Sequence, residues 1–143
     1  MKITADTNVL VSASFWTGNS FRILNLVDKG YIELFLSEKI IEEYAEVVKR
    51  AEIEDKILDK NLILNRVVQK VLANSTIIIP SRKLDIIKED FDDNAVLECA
   101  VEGKVDYLIT QDSHLLKLGK FEGIKIVTPE EFFNLFKDIS ESN

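Results

Sequence analysis

Basic residues are scarce in this chain. Its 143 residues carry 18 lysines and arginines against 25 aspartates and glutamates, a net charge of −7. That argues against a broad cationic face of the kind that grips duplex DNA through its phosphates. It leaves room for a carboxylate cluster that binds divalent cations and is itself a source of negative charge. The single cysteine, Cys99, has no internal disulfide partner. Lying in a helical apolar pattern, it reads as a small buried hydrophobe of a reducing compartment. No Ser-His-Asp or Cys-His arrangement for nucleophilic catalysis is evident. No apolar run approaches the roughly 18 residues needed to cross a bilayer, and no charged stretch followed by a long apolar one opens the chain. A cytoplasmic protein without membrane association is expected. Internal repeats, low-complexity tracts and linkers are absent as well. With 46% hydrophobic and 30% charged residues, residues 1–143 read as one soluble globular domain.

What is present is an alternation of short apolar runs with helical patterns. Residues 2–6 read as a first strand ending in Asp6, followed by helical segments at Asn8–Phe15 and Asn19–Lys29, the second stopped by Gly30. Residues 32–36 form the second strand, with Ser37 as a cap for a helix from Glu38 to about Arg50. That helix has Ile40, Ile41, Tyr44, Val47 and Val48 on its apolar side. A long helical stretch from Glu54 to Asn74, with a break near Asn61, offers an arm or a partner surface. The third strand is 76–79, closed by Pro80, and 81–92 read as irregular. Asp93 opens a helix through Glu102 with Gly103 as its stop; 106–110 and 124–127 are the fourth and fifth strands. Thr128-Pro129-Glu130-Glu131 starts the last helix with a cap, a proline and two acids. Buried, β-rich strands separated by helices call for an α/β domain with a parallel sheet covered on both faces.

Four acids stand at positions where such a sheet binds ligands. Asp6 ends the first strand, Asp112 follows the fourth, Asp93 opens a helix, and Glu43 lies in the helix after the second strand. On a helical wheel Glu43 borders the apolar stripe, whereas Glu42 points away from it. Asp93 shares a face with Val96, Leu97 and Ala100, which favours it over Asp90 and Asp92. Each acid alone also fits a plain structural role as a helix cap or a solvated residue. Together they suit the binding of hard cations such as Mg²⁺ and Mn²⁺, which take oxygen ligands and promote phosphodiester hydrolysis by water.

The residues around these acids resemble the motifs of the PIN-domain family. Asp6-Thr7-Asn8-Val9-Leu10 resembles its opening motif, Ser37–Glu43 the second, Asp93–Ala100 the third, and Tyr107–Leu116 the fourth. The close, Ile126–Phe132, is similar to that of bacterial and archaeal PIN proteins that are often toxins of toxin–antitoxin modules. The resemblance implies a five-stranded parallel sheet in the order 3-2-1-4-5. It also implies a Mg²⁺- or Mn²⁺-dependent endoribonuclease of single-stranded RNA, with an antitoxin protein as partner. Asp6, Glu43, Asp93 and Asp112 would be its catalytic and metal-binding positions, with Asn8, Thr110 and Asn94 supporting them. Asn94 stands where many relatives carry another acid. A homodimer is the default for a small soluble domain of this kind, and 54–74 is a candidate interface.

Competing readings are an inactive PIN scaffold that binds RNA or protein, a haloacid-dehalogenase-like phosphatase, and a receiver domain. Four acids in place argue against the first. Asn8 stands where the phosphatase needs a second Asp, and Ile79-Pro80 where the receiver needs its acceptor. His114 reads as a surface or helix-start residue. Trp16 and Phe15 suit a core or interface role, or stacking on a base.

Overall fold

The computed structural model describes residues 1–16, 18–55, 68–88 and 90–141. Its elements follow the expected alternation. They are β1 (Lys2–Ala5), α1 (Thr7–Phe15), α2 (Asn19–Asp28), β2 (Glu33–Ser37) and α3 (Glu38–Asp55). A helical run over 68–74, α4, leads into β3 (Ser75–Ile78). Then come α5 (Phe91–Gly103), β4 (Tyr107–Ile109), α6 (Ser113–Leu118), β5 (Lys120–Phe121), β6 (Ile124–Val127) and α7 (Pro129–Glu141).

The strands form one sheet in the order β3-β2-β1-β4-β6-β5, parallel except for β5. The expected five strands are therefore present in the expected order, with a sixth added at the edge. Glu122 and Gly123, both at positive φ, make the two-residue turn that folds β5 back on β6. Gly30, at φ 81°, ends α2 as expected, with Tyr31 N–H bonded 3.0 Å back to Leu26 O. Thr128 and Glu131 cap α7 reciprocally, the Glu131 N–H lying 3.1 Å from Thr128 Oγ1. Much of the expected 54–74 helix, including the break near Asn61 and most of the candidate dimer surface, lies outside the described residues.

Burial explains the layering. Ile3, Thr4 and Ala5 of β1 are all buried, as are all three residues of β4, so side chains on both faces of the central strands are covered. The sheet order reverses after β3. Right-handed crossovers then put α5 on the opposite face from the connections made by α1, α2 and α3. α5 packs across β1, β2 and β4, while α2 packs on α1 and α7. Cys99 is fully buried in α5, its thiol pushed up to about 11 by burial. No helix among the described residues is long and apolar enough to cross a membrane.

One feature of α5 is absent from the sequence pattern. The irregular run before it is strapped along the helix by three side chains spaced four residues apart. Glu102 accepts from Ser81 N–H at 2.8 Å and Glu98 from Leu84 N–H at 2.9 Å. Asn94 accepts from Ile86 and Ile87 N–H at 3.0 and 2.8 Å and donates to Ile87 O at 2.8 Å. The run has no ladder of its own, and these side chains satisfy four of its N–H groups and one carbonyl.

Candidate metal centre

The reversal of strand order falls between β1 and β4, and the crevice at their carboxyl ends is where such sheets bind ligands. Asp6 and Asp112 sit there because each strand ends one or a few residues earlier and a helix follows at once. Asp6 is the cap of α1, its Oδ1 accepting from Val9 N–H at 2.9 Å. Asp112 caps α6, accepting from His114 and Leu115 N–H at 2.8 and 3.1 Å. Thr110, fully buried, ties the two together. Its hydroxyl donates to Asp6 Oδ2 and accepts from Asp112 N–H at 2.9 Å. Both carboxylates are thus oriented before any ligand arrives.

α5 and α3 supply the opposite wall. The cap of α5 is Asp90, which accepts from Asp92 N–H at 3.0 Å, rather than Asp93 as expected. The helix starts three residues earlier, at Phe91, which places Asp93 in its first turn. Asp93 is 7% exposed, and Asp90 and Asp92 stay at the surface. Glu43, half-buried on α3, faces the same cleft, and Glu42 is solvated as the wheel required. Six carboxylates therefore line one space (Asp6, Glu43, Asp90, Asp92, Asp93 and Asp112) together with Thr7 and Asn8. Its volume is about 50 Å³, room for a few waters or a partly hydrated ion at about 10–15 Å³ per water on that measure.

Crowding of like charge in a partly dry cleft raises the proton affinity of its members. Burial, then the neighbouring Asp112 and Asp90, push Asp93 up to about 7. Burial also raises Asp6, against the lowering effect of the Thr110 hydrogen bond. Glu43 is raised by burial and by Asp92 and Asp90. Three buried polar atoms among the described residues have no hydrogen-bond partner: Thr7 Oγ1, Asp93 Oδ2 and His114 Nδ1. Thr7 and Asp93 line the cleft. Ligand atoms of His114, Asp93 and Asp112 all lie within 4.8 Å of one another. Buried polar atoms are almost always paired, to protein, water or ion. A divalent cation fits this donor set: it would partner Asp93 Oδ2 and relieve the repulsion, and oxygen-rich ligation suits Mg²⁺ or Mn²⁺.

Residues 2–114 match the family model described as PIN domain, more than three quarters of the 143-residue chain. This chain belongs to the PIN-domain family. Its fold is also similar to that in the crystal structure of PAE2754 from Pyrobaculum aerophilum, with a TM-score of 0.56 at 17% identity over 88% of this chain and 92% of that one. No curated protein matches the sequence. PIN domains generally are metal-dependent nucleases, and an acidic cleft compatible with a divalent cation is what this PIN domain carries.

Of the positions singled out in the sequence, the fold brings Asp6, Glu43, Asp93, Asp112, Asn8 and Thr110 to this cleft or its immediate support. Asn94 is not among them. Its amide is turned to Ile86 and Ile87, where it accepts two backbone N–H groups and also donates to Ile87 O, a donation an ionised acid could not make. Sequence reasoning passed over Asp90, Asp92 and His114. His114 Nδ1 lies 3.7 Å from Asp112 Oδ1. The available signal was its spacing, two residues beyond an aspartate that caps a helix.

Proposed function

We propose that this PIN domain is a Mg²⁺- or Mn²⁺-dependent endoribonuclease that hydrolyses phosphodiester bonds of single-stranded RNA. The observation that carries the reading is the convergence of Asp6, Glu43, Asp93 and Asp112 from four separate elements, with Asp93 Oδ2 buried and unpartnered. When bound, the cation supplies an activated water and stabilises charge on the reacting phosphate. The chain's own residues contribute the rest. Asp6 and Asp112 present carboxylates whose orientation is set by Thr110 and by the N–H groups opening α1 and α6. Burial and the neighbouring acids keep the Asp93 carboxyl protonated up to about pH 7, so holding a cation there would release a proton. Asn8, exposed at the start of α1, lies at the mouth, where a phosphate oxygen would pass. A narrow cleft on a protein of charge −7 suits one flexible strand better than a duplex gripped across both backbones.

A role as the toxin of a toxin–antitoxin pair, with a cognate antitoxin as inhibitor, extends the same reading. It is supported by the resemblance of the closing segment alone. The test of the activity is incubation of labelled single-stranded RNA with Mn²⁺, beside EDTA and an Asp6→Asn variant. Cleavage that needs metal and is lost in the variant is expected. A variant that cleaves like the wild type removes Asp6 from the site, and a folded wild type that binds Mn²⁺ without cleaving removes the hydrolase.

A further inference from the structure

A second pocket opens beside α1, further along the helix from the carboxylates. It is lined by Ser12, Trp16, Gln111 and Glu130, and by Gly18 to Phe21 at the start of α2. Its volume is about 190 Å³, on the scale of one nucleobase. Two chain segments join it to the acidic cleft. Gln111 lies between Thr110 and Asp112, and Ser12 is one helical turn beyond Asn8. From Asn8 to Trp16 the path along α1 is about 12 Å at 1.5 Å per residue, a distance that a short piece of single strand covers.

Trp16 is 66% exposed, a large apolar ring left in water at the end of α1. Its backbone is held, the N–H bonded 3.0 Å to Ser12 O, and the Phe15 ring lies 5.6 Å from the indole. Besides Trp16, Phe21 and Pro129 the lining is polar. A dry interface with a second copy calls for a contiguous apolar patch, and Ser12, Asn19, Ser20, Gln111 and Glu130 interrupt one. A planar base with a hydrogen-bonding edge matches the combination. It stacks on the indole and turns its edge to Gln111 and Glu130.

We propose that this pocket is a subsite for a nucleobase of the RNA strand whose backbone crosses the acidic cleft, an inference that rests on the ribonuclease reading. Trp16 is the stacking residue. Glu130, an acceptor, favours a base with an exocyclic amino group over uracil, whose one edge donor, N3–H, is flanked by two carbonyl oxygens that repel a carboxylate.

Trp16 is the only tryptophan of the chain, so its emission reports on the pocket without any cleavage. Ten-nucleotide oligo(A), oligo(C) and oligo(U) RNAs, labelled with fluorescein, are titrated into the wild-type protein in EDTA, and tryptophan emission and label anisotropy are read together. Quenching that tracks anisotropy is expected, with oligo(A) and oligo(C) binding more tightly than oligo(U). Trp16→Ala should weaken binding roughly 10- to 100-fold, the range for losing one base–aromatic stack. Trp16→Phe should recover most of it, and Glu130→Gln should narrow the preference against oligo(U).

Binding by anisotropy with unchanged emission and an unaffected Trp16→Ala variant overturns the subsite. So does emission that shifts with protein concentration alone and follows dimer formation, which would seat a second copy on Trp16. Absence of any RNA binding in EDTA overturns the subsite, and cleavage on adding Mn²⁺ then decides the hydrolase separately. Quenching and binding as expected, but no cleavage on adding Mn²⁺, leaves the subsite standing and removes the hydrolase.

Discussion

Replacing Asp93 by asparagine should stabilise the metal-free protein, by an amount that grows as pH rises from about 4 to 7. Its carboxyl ionises at about 7 in the folded chain against 3.8 as the ordinary value. Between those pH values the folded state holds a proton that the unfolded state has lost. Stability therefore declines as pH rises from about 4 through 7 and is flat beyond. The full shift corresponds to about 4 kcal/mol at 1.36 kcal/mol per unit. Water at the mouth of the cleft screens part of it, and about 2 kcal/mol is the working figure. Asparagine matches the protonated carboxyl in shape and carries no charge. At pH 8 in EDTA, Asp93→Asn should then melt about 8 °C above wild type, at about 4 °C per kcal/mol for a domain of this size. The gain should shrink as pH falls and nearly vanish at about pH 4, where the unfolded carboxyl also takes up its proton. Added Mn²⁺ should raise the wild-type melting temperature at pH 8 and largely spare the variant, because binding stabilises only the form that offers the ligand. Thermal unfolding followed by circular dichroism at both pH values, with and without Mn²⁺, reads all of this. A folded variant that melts at or below wild type at pH 8 would refute the electrostatic account. So would an equal gain at pH 4.

Thr110→Val keeps the shape of a fully buried residue and removes the hydroxyl that bridges Asp6 Oδ2 and Asp112 N–H. The expected cost is about 1–2 kcal/mol in stability and about 10- to 100-fold in Mn²⁺ affinity or activity, checked by denaturant melts and by metal titration. Asn94→Ala removes three hydrogen bonds to Ile86 and Ile87 and should cost about 2–3 kcal/mol. Limited proteolysis should cut the variant first between residues 81 and 88, while Mn²⁺ affinity of the folded fraction stays within about twofold, since that amide does not face the carboxylates.

How far the chain could be read in advance follows from which forces were local. Ile3, Leu34, Leu108 and Ile126 sit in short β-rich runs and are all buried strand residues, because a central parallel strand buries both faces and leaves a continuous apolar signal. Asp6 and Asp112 were legible for a related reason: an acid placed where a buried strand stops marks the ligand-binding edge of the sheet. β5 was not legible. Lys120-Phe121 is too short to carry a pattern, and Glu122 takes a positive φ that a glutamate gives little reason to expect. The start of α5 was displaced because Asp90, Asp92 and Asp93 all suit a helix N-terminus, and the choice of cap depends on which of them the cleft buries. Gly103, expected as a stop, lies inside α5, and Lys104 takes the left-handed turn at φ 49°. A Cβ at 103 would come within 3.2 Å of Phe35 and Val105 side-chain atoms, so close packing rather than backbone conformation accounts for that glycine. Asn94, Glu98 and Glu102 show the same limit most clearly. Their spacing marks one polar helical face, which from sequence is a solvated face. What it does is accept the backbone N–H groups of a segment with no pattern of its own. The consequence is mechanical: the strap holds the approach to Asp90 and Asp93 against α5. The acidic wall is thereby positioned by residues that never touch the cation they help to place.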